Sequence, residues 1–372
     1  MDVGVPKETA PYEKRVALVP DGIASLTKAG LRVIVEAGAG VAASVTDAMC
    51  RDAGATIAGA GEVMGKADVI LKVQPPSVEE ARTIKQGAIL ISLLQPVRNC
   101  DVLNALTANG VTAVSMDRVP SITRAQSMDA LSSQSSIAGY KAVLVAASNL
   151  GKLMPIMMTA AGTIRPASVF ILGAGVAGLQ AIATARRLGA VVSAYDVRPA
   201  VKEQVESLGA KFIEVQLGQK DTETAGGYAK ELTEESSRKI QGLLEETLRG
   251  TDAVISTALI PDRPAPRLIT EEMVKGMRPG SVIVDMAAEA GGNCELTELG
   301  KSVVRYGVTI IGPYDLAATV PANASQMYSR NISSLLLTQV KEGRVQLNLE
   351  DEIVNATVVT HSGEMRVKVS AG

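Results

Sequence analysis

The sequence predicts an α/β protein built from two doubly wound units, each a mostly parallel sheet covered by helices. Three observations predict it. Apolar runs of strand length alternate with helical stretches through the first 120 residues. The same rhythm restarts at residue 168 with six more runs. A glycine-rich turn, GAGVAG at 173–178, leads from the first of those six into a helical stretch. Strands that alternate with helices need crossover connections, and crossovers make parallel sheets buried on both faces.

In the first half the strand-like runs are 2–6, RVIVEA (32–37), DVILKV (68–73), AILISLL (88–94) and TAVSMD (112–117). Helical segments lie between them. One runs from Asp21 to Gly30. A second starts at Ser77 with Glu80 three residues on, a capping box, and stops at Gly87. A third runs from Asp101 to Gly110. Each stops at a glycine, the residue best suited to the left-handed turn that closes a helix.

The second half offers SVFIL (168–172), VVSAYD (191–196), KFIEV (211–215), DAVIST (252–257), SVIVDM (281–286) and VTIIG (308–312). Six strands is the count of a doubly wound dinucleotide domain. The connection 216–251 is unusually long. Its first half holds charges, threonines and the pair Gly226–Gly227 but no apolar stripe, which suggests a mobile lid; its second half reads as a helix. Helical stretches at 132–150 and 324–340 flank this unit, and the tail 344–370 alternates like strands around HSGE. The expected division is a first Rossmann-like domain, 1–131 with a returning tail 341–372, and a nucleotide-binding Rossmann domain, 132–340, inserted between two linking helices.

GAGVA occurs twice, at 38–42 and at 173–177. In the second copy Gly173, Gly175 and Gly178 give G-x-G-x-x-G between a strand and a helix whose Leu179, Ile182, Ala185 and Leu188 recur every third residue. The first glycine makes the tight turn, the second lets pyrophosphate approach the backbone, and the third lets helix and strand pack closely. The next strand ends in Asp196, 18 residues past Gly178, where an acid is expected to accept hydrogen bonds from a ribose and repel a 2′-phosphate. NAD(H) is therefore expected over its phosphorylated counterpart, although Arg198 nearby is a residue type that can cradle phosphate. The first copy gives only Gly38, Gly40 and Ala43, with the helix-start residues Thr46 and Asp47 several positions too late. It reads as a loop leaving a strand, so one nucleotide is expected, at the second copy.

Composition removes other classes. Net charge is −2 and aromatics make up 2 % with no Trp, so neither the basic footprint nor the stacking rings of a nucleic-acid binder are present. Cys50, Cys100 and Cys294 lie far apart without a CxxC, which suggests neither disulfides nor a metal site. The start MDVGVPKE lacks the regions of a signal peptide, and the longest apolar runs fall well short of the roughly 20 residues of a membrane span. A cytoplasmic protein is expected. The densest polar segment of the first domain is SITRAQSMDALSSQSS, 121–136, with Arg124, Gln126, Asp129 and Ser132 within one or two turns. A substrate is expected in a cleft beside the nucleotide domain.

Taken together, PKE, RVALVP, RAQSMDALSSQSSIAGYKAV, MMTAAGT, GAGVAGLQAIATARRLGAVVSAYDVR, KEQVESLGAKF, ETAGGYAKE, TALIP and EAGGN, in that order, resemble the NAD(H)-binding alpha subunit, domain I, of proton-translocating nicotinamide nucleotide transhydrogenase. The resemblance spans nearly the whole chain. It implies a homodimer, peripheral on the cytoplasmic membrane, that docks on a membrane-spanning subunit and on a beta subunit holding NADP(H). Hydride passes between the two nicotinamides, coupled to proton translocation. Because no membrane segment precedes Gly372, the split-subunit form is expected.

Residue by residue, the resemblance places Gln126 and Asp129 beside the nicotinamide as the catalytic loop, with Ser132 just after. The family's arginine five residues before the glutamine is Ser121 here, and Arg124 stands two residues before it. Adenosine-side contacts carry over to Val176, Asp196, Val197 and Arg198, the mobile loop to Gly227 and Tyr228, and a further contact to Leu259 in TALIP.

Alanine dehydrogenase is a related family. Its substrate-binding Arg and Lys match Arg15 and Lys72, while its catalytic His falls at Leu94. Oxidising an amino acid needs a base for the proton on nitrogen, whereas hydride exchange between nicotinamides needs none. An alanine-dehydrogenase-like enzyme is thus the second reading. A non-catalytic NAD(H) sensor, which would have no reason to keep Gln126 and Asp129, is the third.

Overall fold

The computed structural model describes residues 1–215, 234–260 and 263–367. They divide into two compact units, Met1–Gln134 with Ala317–Gly372, and Ser135–Leu316. The segment expected to form a lid, with Gly227 and Tyr228, lies outside the described residues.

The first unit holds an eight-stranded sheet. Its order is Glu364–Met365, Val358–His361, Thr112–Ser115, Ile89–Ser92, Val69–Leu71, Asp2–Val5, Arg32–Glu36, Thr56–Ala58. The last six are parallel, with Val3 opposite Val33 on one side and Val69 on the other. The strand order therefore reverses at Asp2–Val5, the doubly wound arrangement. Ile89–Ser92 is wholly buried, which is why AILISLL is a continuous apolar run rather than an alternating one. The capping box forms as its spacing predicts: Ser77 Oγ accepts from Glu80 N at 3.1 Å, and Glu80 Oε2 accepts from Ser77 N at 2.8 Å.

The tail returns to this sheet as Val358–His361, antiparallel to Thr112–Ser115. It is not all strand, since Glu352–Thr357 is a helix capped by Asp351, which accepts from Ile353 N and Val354 N. Helix Pro321–Leu337 also packs in the first unit, whereas the sequence counted it with the second domain. Tyr328, Ile332, Leu335 and Leu336 join the core of Leu18, Ile23 and Leu26. Ser325 and Ser329 accept from the backbone N–H groups of Val16 and Val19 at 3.0 and 3.1 Å. These serines face inward as partners for a loop backbone, a role that hydropathy alone reads as surface.

The second unit holds a seven-stranded sheet in the order Lys211–Phe212, Val191–Tyr195, Ser168–Leu172, Ala253–Ser256, Val282–Asp285, Val308–Ile311, Ser302–Arg305. The order again reverses beside the first strand, between Ser168–Leu172 and Ala253–Ser256. Ser302–Arg305 is an antiparallel edge strand that the sequence did not predict; it is mostly exposed. An antiparallel hairpin, Met157–Thr159 with Gly162–Ile164, is the other addition.

Candidate functional site

In open α/β sheets ligands settle outside the carboxyl ends of the strands, where the order reverses. In the second unit that place is the turn after Leu172. Gly173 has φ +99°, and a Cβ there would lie 2.8 Å from Thr257 Oγ1. Gly178 lies against the turn it follows, so a Cβ on it would sit 1.9 Å from the carbonyl oxygen of Gly173. Gly175 precedes helix Val176–Arg187 with no side chain capping that end. Its first N–H groups are thus left for a ligand, and a Cβ on Gly175 would meet only the Arg198 guanidinium, at 3.9 Å. The cradle fits a pyrophosphate: open at the middle glycine, closed at the other two. Val176, the first helical residue, is exposed.

Asp196 turns back onto this loop. Its Oδ2 accepts from Ala174 N at 2.8 Å, tying the end of the second strand to the glycine turn. Its other partner is Arg198, whose backbone N and Nε donate to Oδ1 at 2.9 Å each and whose Nη2 donates to Oδ2 at 2.9 Å. The carboxylate is 7 % exposed and the guanidinium 20 %. Asp196 is thus a neutralised, fixed acceptor rather than a bare charge. Val197 packs its side chain into the core below.

The opposite wall is the loop after Ser256. Thr257 donates from Oγ1 to the carbonyl of Gly173 at 3.0 Å, and Ala258 exchanges hydrogen bonds with the Asn293 side chain at 3.1 and 2.8 Å. Asn293 is in turn placed through Asp285, wholly buried, which accepts from Ser256 Oγ, Ala287 N, Cys294 N and Thr297 Oγ1. Leu259 projects from this clamped loop, 52 % exposed. Site reasoning from the sequence missed Thr257, Asp285 and Asn293. TALIP and EAGGN contain two of them, but only contact between those two stretches gives them a role.

The first GAGVA, in the other unit, is built differently. Asp47 Oδ1 accepts from Gly38 N at 2.9 Å, and the chain closes into a single 3₁₀ turn, Val41–Ala43, ended by Ser44 at φ 63°. A carboxylate already occupies the N–H that a phosphate would need.

The segment 121–132 is a pinned loop. Its 3₁₀ turn Thr123–Met128 buries Ala125 and Met128, and Asn331 Nδ2 donates to the Ser127 carbonyl at 2.9 Å. Arg124 pairs with Asp351 at 2.7 Å, and this bond holds the Asp351 carboxyl below its usual range. Asp129 caps helix Ala130–Asn149, with Oδ1 accepting from Ser132 N at 2.9 Å and Oδ2 from Ser132 Oγ at 2.6 Å. Gln126 stands exposed on this pedestal, and its amide makes no hydrogen bond among the described residues. Ser121 is exposed, and Arg124 is committed to Asp351.

Residues 4–138 match the N-terminal domain of alanine dehydrogenase/PNT, and residues 142–368 match its C-terminal domain. The chain belongs to this family. Within it, the chain is 52 % identical over 373 residues to an NAD(P) transhydrogenase subunit alpha chain of Rhodospirillum rubrum, covering 98 % of this chain and 97 % of that one. It superimposes on the crystal structure of transhydrogenase from Sinorhizobium meliloti with a TM-score of 0.90 at 47 % identity, over 98 % of this chain and all of that one. Alanine dehydrogenase of Mycobacterium tuberculosis is 32 % identical over 296 residues, 78 % of this chain and 74 % of that one.

Three positions bear on the alanine-dehydrogenase reading of the sequence: Arg15, Lys72 and Leu94. Arg15 and Lys72 are each 1 % exposed and both are ion-paired. Glu13 grips Arg15 at two points, 2.9 and 2.6 Å, and Lys72 Nζ lies 3.2 Å from Glu8 Oε2. Burial raises the Glu8 carboxyl above its usual range despite Lys72; the Glu13 carboxyl, also buried, is brought below it by Arg15. Leu94 is fully buried in an apolar cluster with Leu90, Leu103 and Leu106. The first exposed side chain past that strand is Gln95, at φ 45°. Neither a leucine nor an amide can take a proton.

Proposed function

We propose that this chain is the NAD(H)-binding alpha subunit of a proton-translocating NAD(P) transhydrogenase, an oxidoreductase that passes hydride from NADH to NADP⁺ held by a partner subunit. The observation that carries the reading beyond dinucleotide binding is Leu94. Nearly the whole chain aligns with a transhydrogenase subunit, while the position that resemblance matches to the alanine-dehydrogenase base holds a buried leucine followed by an amide.

The glycine turn Gly173–Gly178 would hold the pyrophosphate, and Asp196, Val197, Arg198 and Leu259 the adenosine half. Asp196 can accept from a ribose while Arg198 keeps it oriented. Gln126 and Asp129 would meet the nicotinamide end, with Ser132 and Arg124 supporting them. Bound NADH supplies the hydride; the protein's task is to orient. A neutral amide on a pinned loop suits that task, because it can donate and accept without adding charge that would bias the exchange. No proton needs to be held at the reacting atoms.

Partner subunits follow from the same reading, and with them a peripheral place at the membrane; no described helix is long and apolar enough to cross one. Pairing of two copies is supported by the hairpin Met157–Ile164, where Met157, Met158 and Ile164 are exposed beside Ile156. Apolar side chains clustered on an exposed hairpin cost solubility unless a second surface covers them. The test of the whole reading is to combine the protein, NADH, an NADP(H)-binding partner subunit and an acetylpyridine analogue, and to follow hydride exchange by absorbance. Exchange that depends on both proteins is expected; its absence overturns the reading.

A further inference from the structure

Arg15 is a fully buried guanidinium in a region where the proposed reaction gives it no substrate. It holds Glu13, through Nε and Nη2, and it donates from Nη1 to Gln134 Oε1 at 2.8 Å. Gln134, 7 % exposed, is clamped at its other end too, with Nε2 donating to the Ala324 carbonyl at 3.0 Å. Glu13 extends the chain of bonds on the far side, accepting from Gln74 Nε2 at 2.8 Å. Stability alone does not account for such an array. Burying a charged pair costs desolvation that its attraction barely repays, and apolar residues of the same volume often hold a core as well. What bonds of fixed direction add is orientation.

Gln134 sits in the second turn of helix Ala130–Asn149. The turn before it carries Ser132, bonded to the Asp129 carboxylate, and the loop leading into it carries Gln126. A planar guanidinium fixes the plane of the Gln134 amide, and two clamped ends fix the rotation of the helix about its axis. We propose that Arg15 and Gln134 are positioning residues for hydride transfer, setting the rotation of this helix start and thereby the places of Asp129, Ser132 and Gln126. The arginine that resembles a substrate contact of alanine dehydrogenase is on this account a strut. The inference rests on the assignment of Gln126 and Asp129 to the nicotinamide end.

The experiment uses the full chain with its partner subunit. Gln134→Met keeps length and removes both clamps, and Arg15→Lys keeps charge and removes the fork. Each is measured by equilibrium NADH titration, by single-turnover transfer to the partner, and by circular dichroism, with Gln126→Ala alongside. NADH affinity is expected to stay within about twofold while transfer slows by about tenfold to a hundredfold, the scale of a misplacement of about 1 Å. If Gln134→Met fails to fold, Arg15→Lys carries the same comparison. Transfer unchanged in a folded variant, or affinity and transfer falling together, overturns the positioning role. If Gln126→Ala slows transfer and these variants do not, only this inference falls. If Gln126→Ala has no effect, the assignment beneath it falls as well.

Discussion

Arg198 holds the carboxylate of Asp196 by both oxygens, while the same carboxylate accepts from the backbone of Ala174 in the glycine turn. On the proposed assignment, this one ion pair would set the floor of the adenosine half. Its consequence for nucleotide choice differs from that of a bare carboxylate. A 2′-phosphate arriving here meets a charge already paired, and can bind well only by taking Arg198 away.

NADH is accordingly expected to bind more tightly than NADPH, and Asp196→Asn should narrow the gap from both sides. It weakens the NADH contact by about 1.5–3 kcal/mol, the range for a hydrogen bond to a charged group, and it releases Arg198 for the phosphate. Titrations of both nucleotides against both proteins measure this. Equal affinities in the unmodified protein would remove Asp196 from the role.

Gln126 is exposed and unbonded among the described residues, so Gln126→Ala should leave the fold and NADH affinity nearly intact, within a few fold. Transfer to the partner-bound nucleotide should slow by about two orders of magnitude, the cost of losing orientation at the reacting end. Parallel losses in binding and transfer would make it an ordinary binding residue.

Leu94 is sealed in the core, so the pure protein given NAD⁺ and alanine should form no NADH at any pH. Absorbance at long incubation is the readout. Turnover proportional to enzyme would favour the alanine-dehydrogenase reading.

Asp252 is largely buried, which disfavours its charge, but Lys152 at 2.7 Å and two bonds from Ser168 outweigh that and hold the carboxyl below its usual range. The folded state thus binds its proton less readily than the unfolded chain. The resulting stability is complete above the ordinary carboxylate range and is lost as pH falls through the depressed value. Asp252→Asn should cost about 2 kcal/mol at neutral pH, and the deficit should shrink on acidification. Denaturant melts of both proteins across that range check the sign; a deficit that grows toward low pH contradicts it.

Replacing Met158, the most exposed residue of the hairpin apolar set, by glutamate should convert a dimer to monomer in light scattering without altering circular dichroism. A charge cannot be buried there unpaired. Unchanged mass in the variant, or a monomeric parent, would place the dimer surface elsewhere or remove it.

The architecture was legible where one chemical signal acts locally. Ser77 and Glu80 named their own cap, and the runs 168–172 and 88–94 named buried strands because parallel strands are apolar on both faces. The local signal failed where elements are short. Ser302–Arg305 is only four residues on a sheet edge, mostly exposed, and six residues at Glu352–Thr357 are too few to show a helical period. For the candidate site, the glycines could be read because their spacing is a backbone requirement. Asn293 and Asp285 could not, since their purpose exists only once two distant loops meet. Nor could the packing of helix Pro321–Leu337 be read locally, since its inward serines answer backbone groups 309 and 310 positions away.

The return of residues 317–367 to the first sheet sets an order of assembly during synthesis. The second unit is continuous in sequence and is complete when Leu316 has emerged from the ribosome, whereas the first waits for the helices Pro321–Leu337 and Glu352–Thr357 and the strands Val358–His361 and Glu364–Met365, all made afterwards. Tyr328, whose hydroxyl donates to the carbonyl of Lys72 at 2.8 Å, is among the late arrivals. The unit begun first is thus finished last, and until then its buried ion pairs stand open to water and to chaperones.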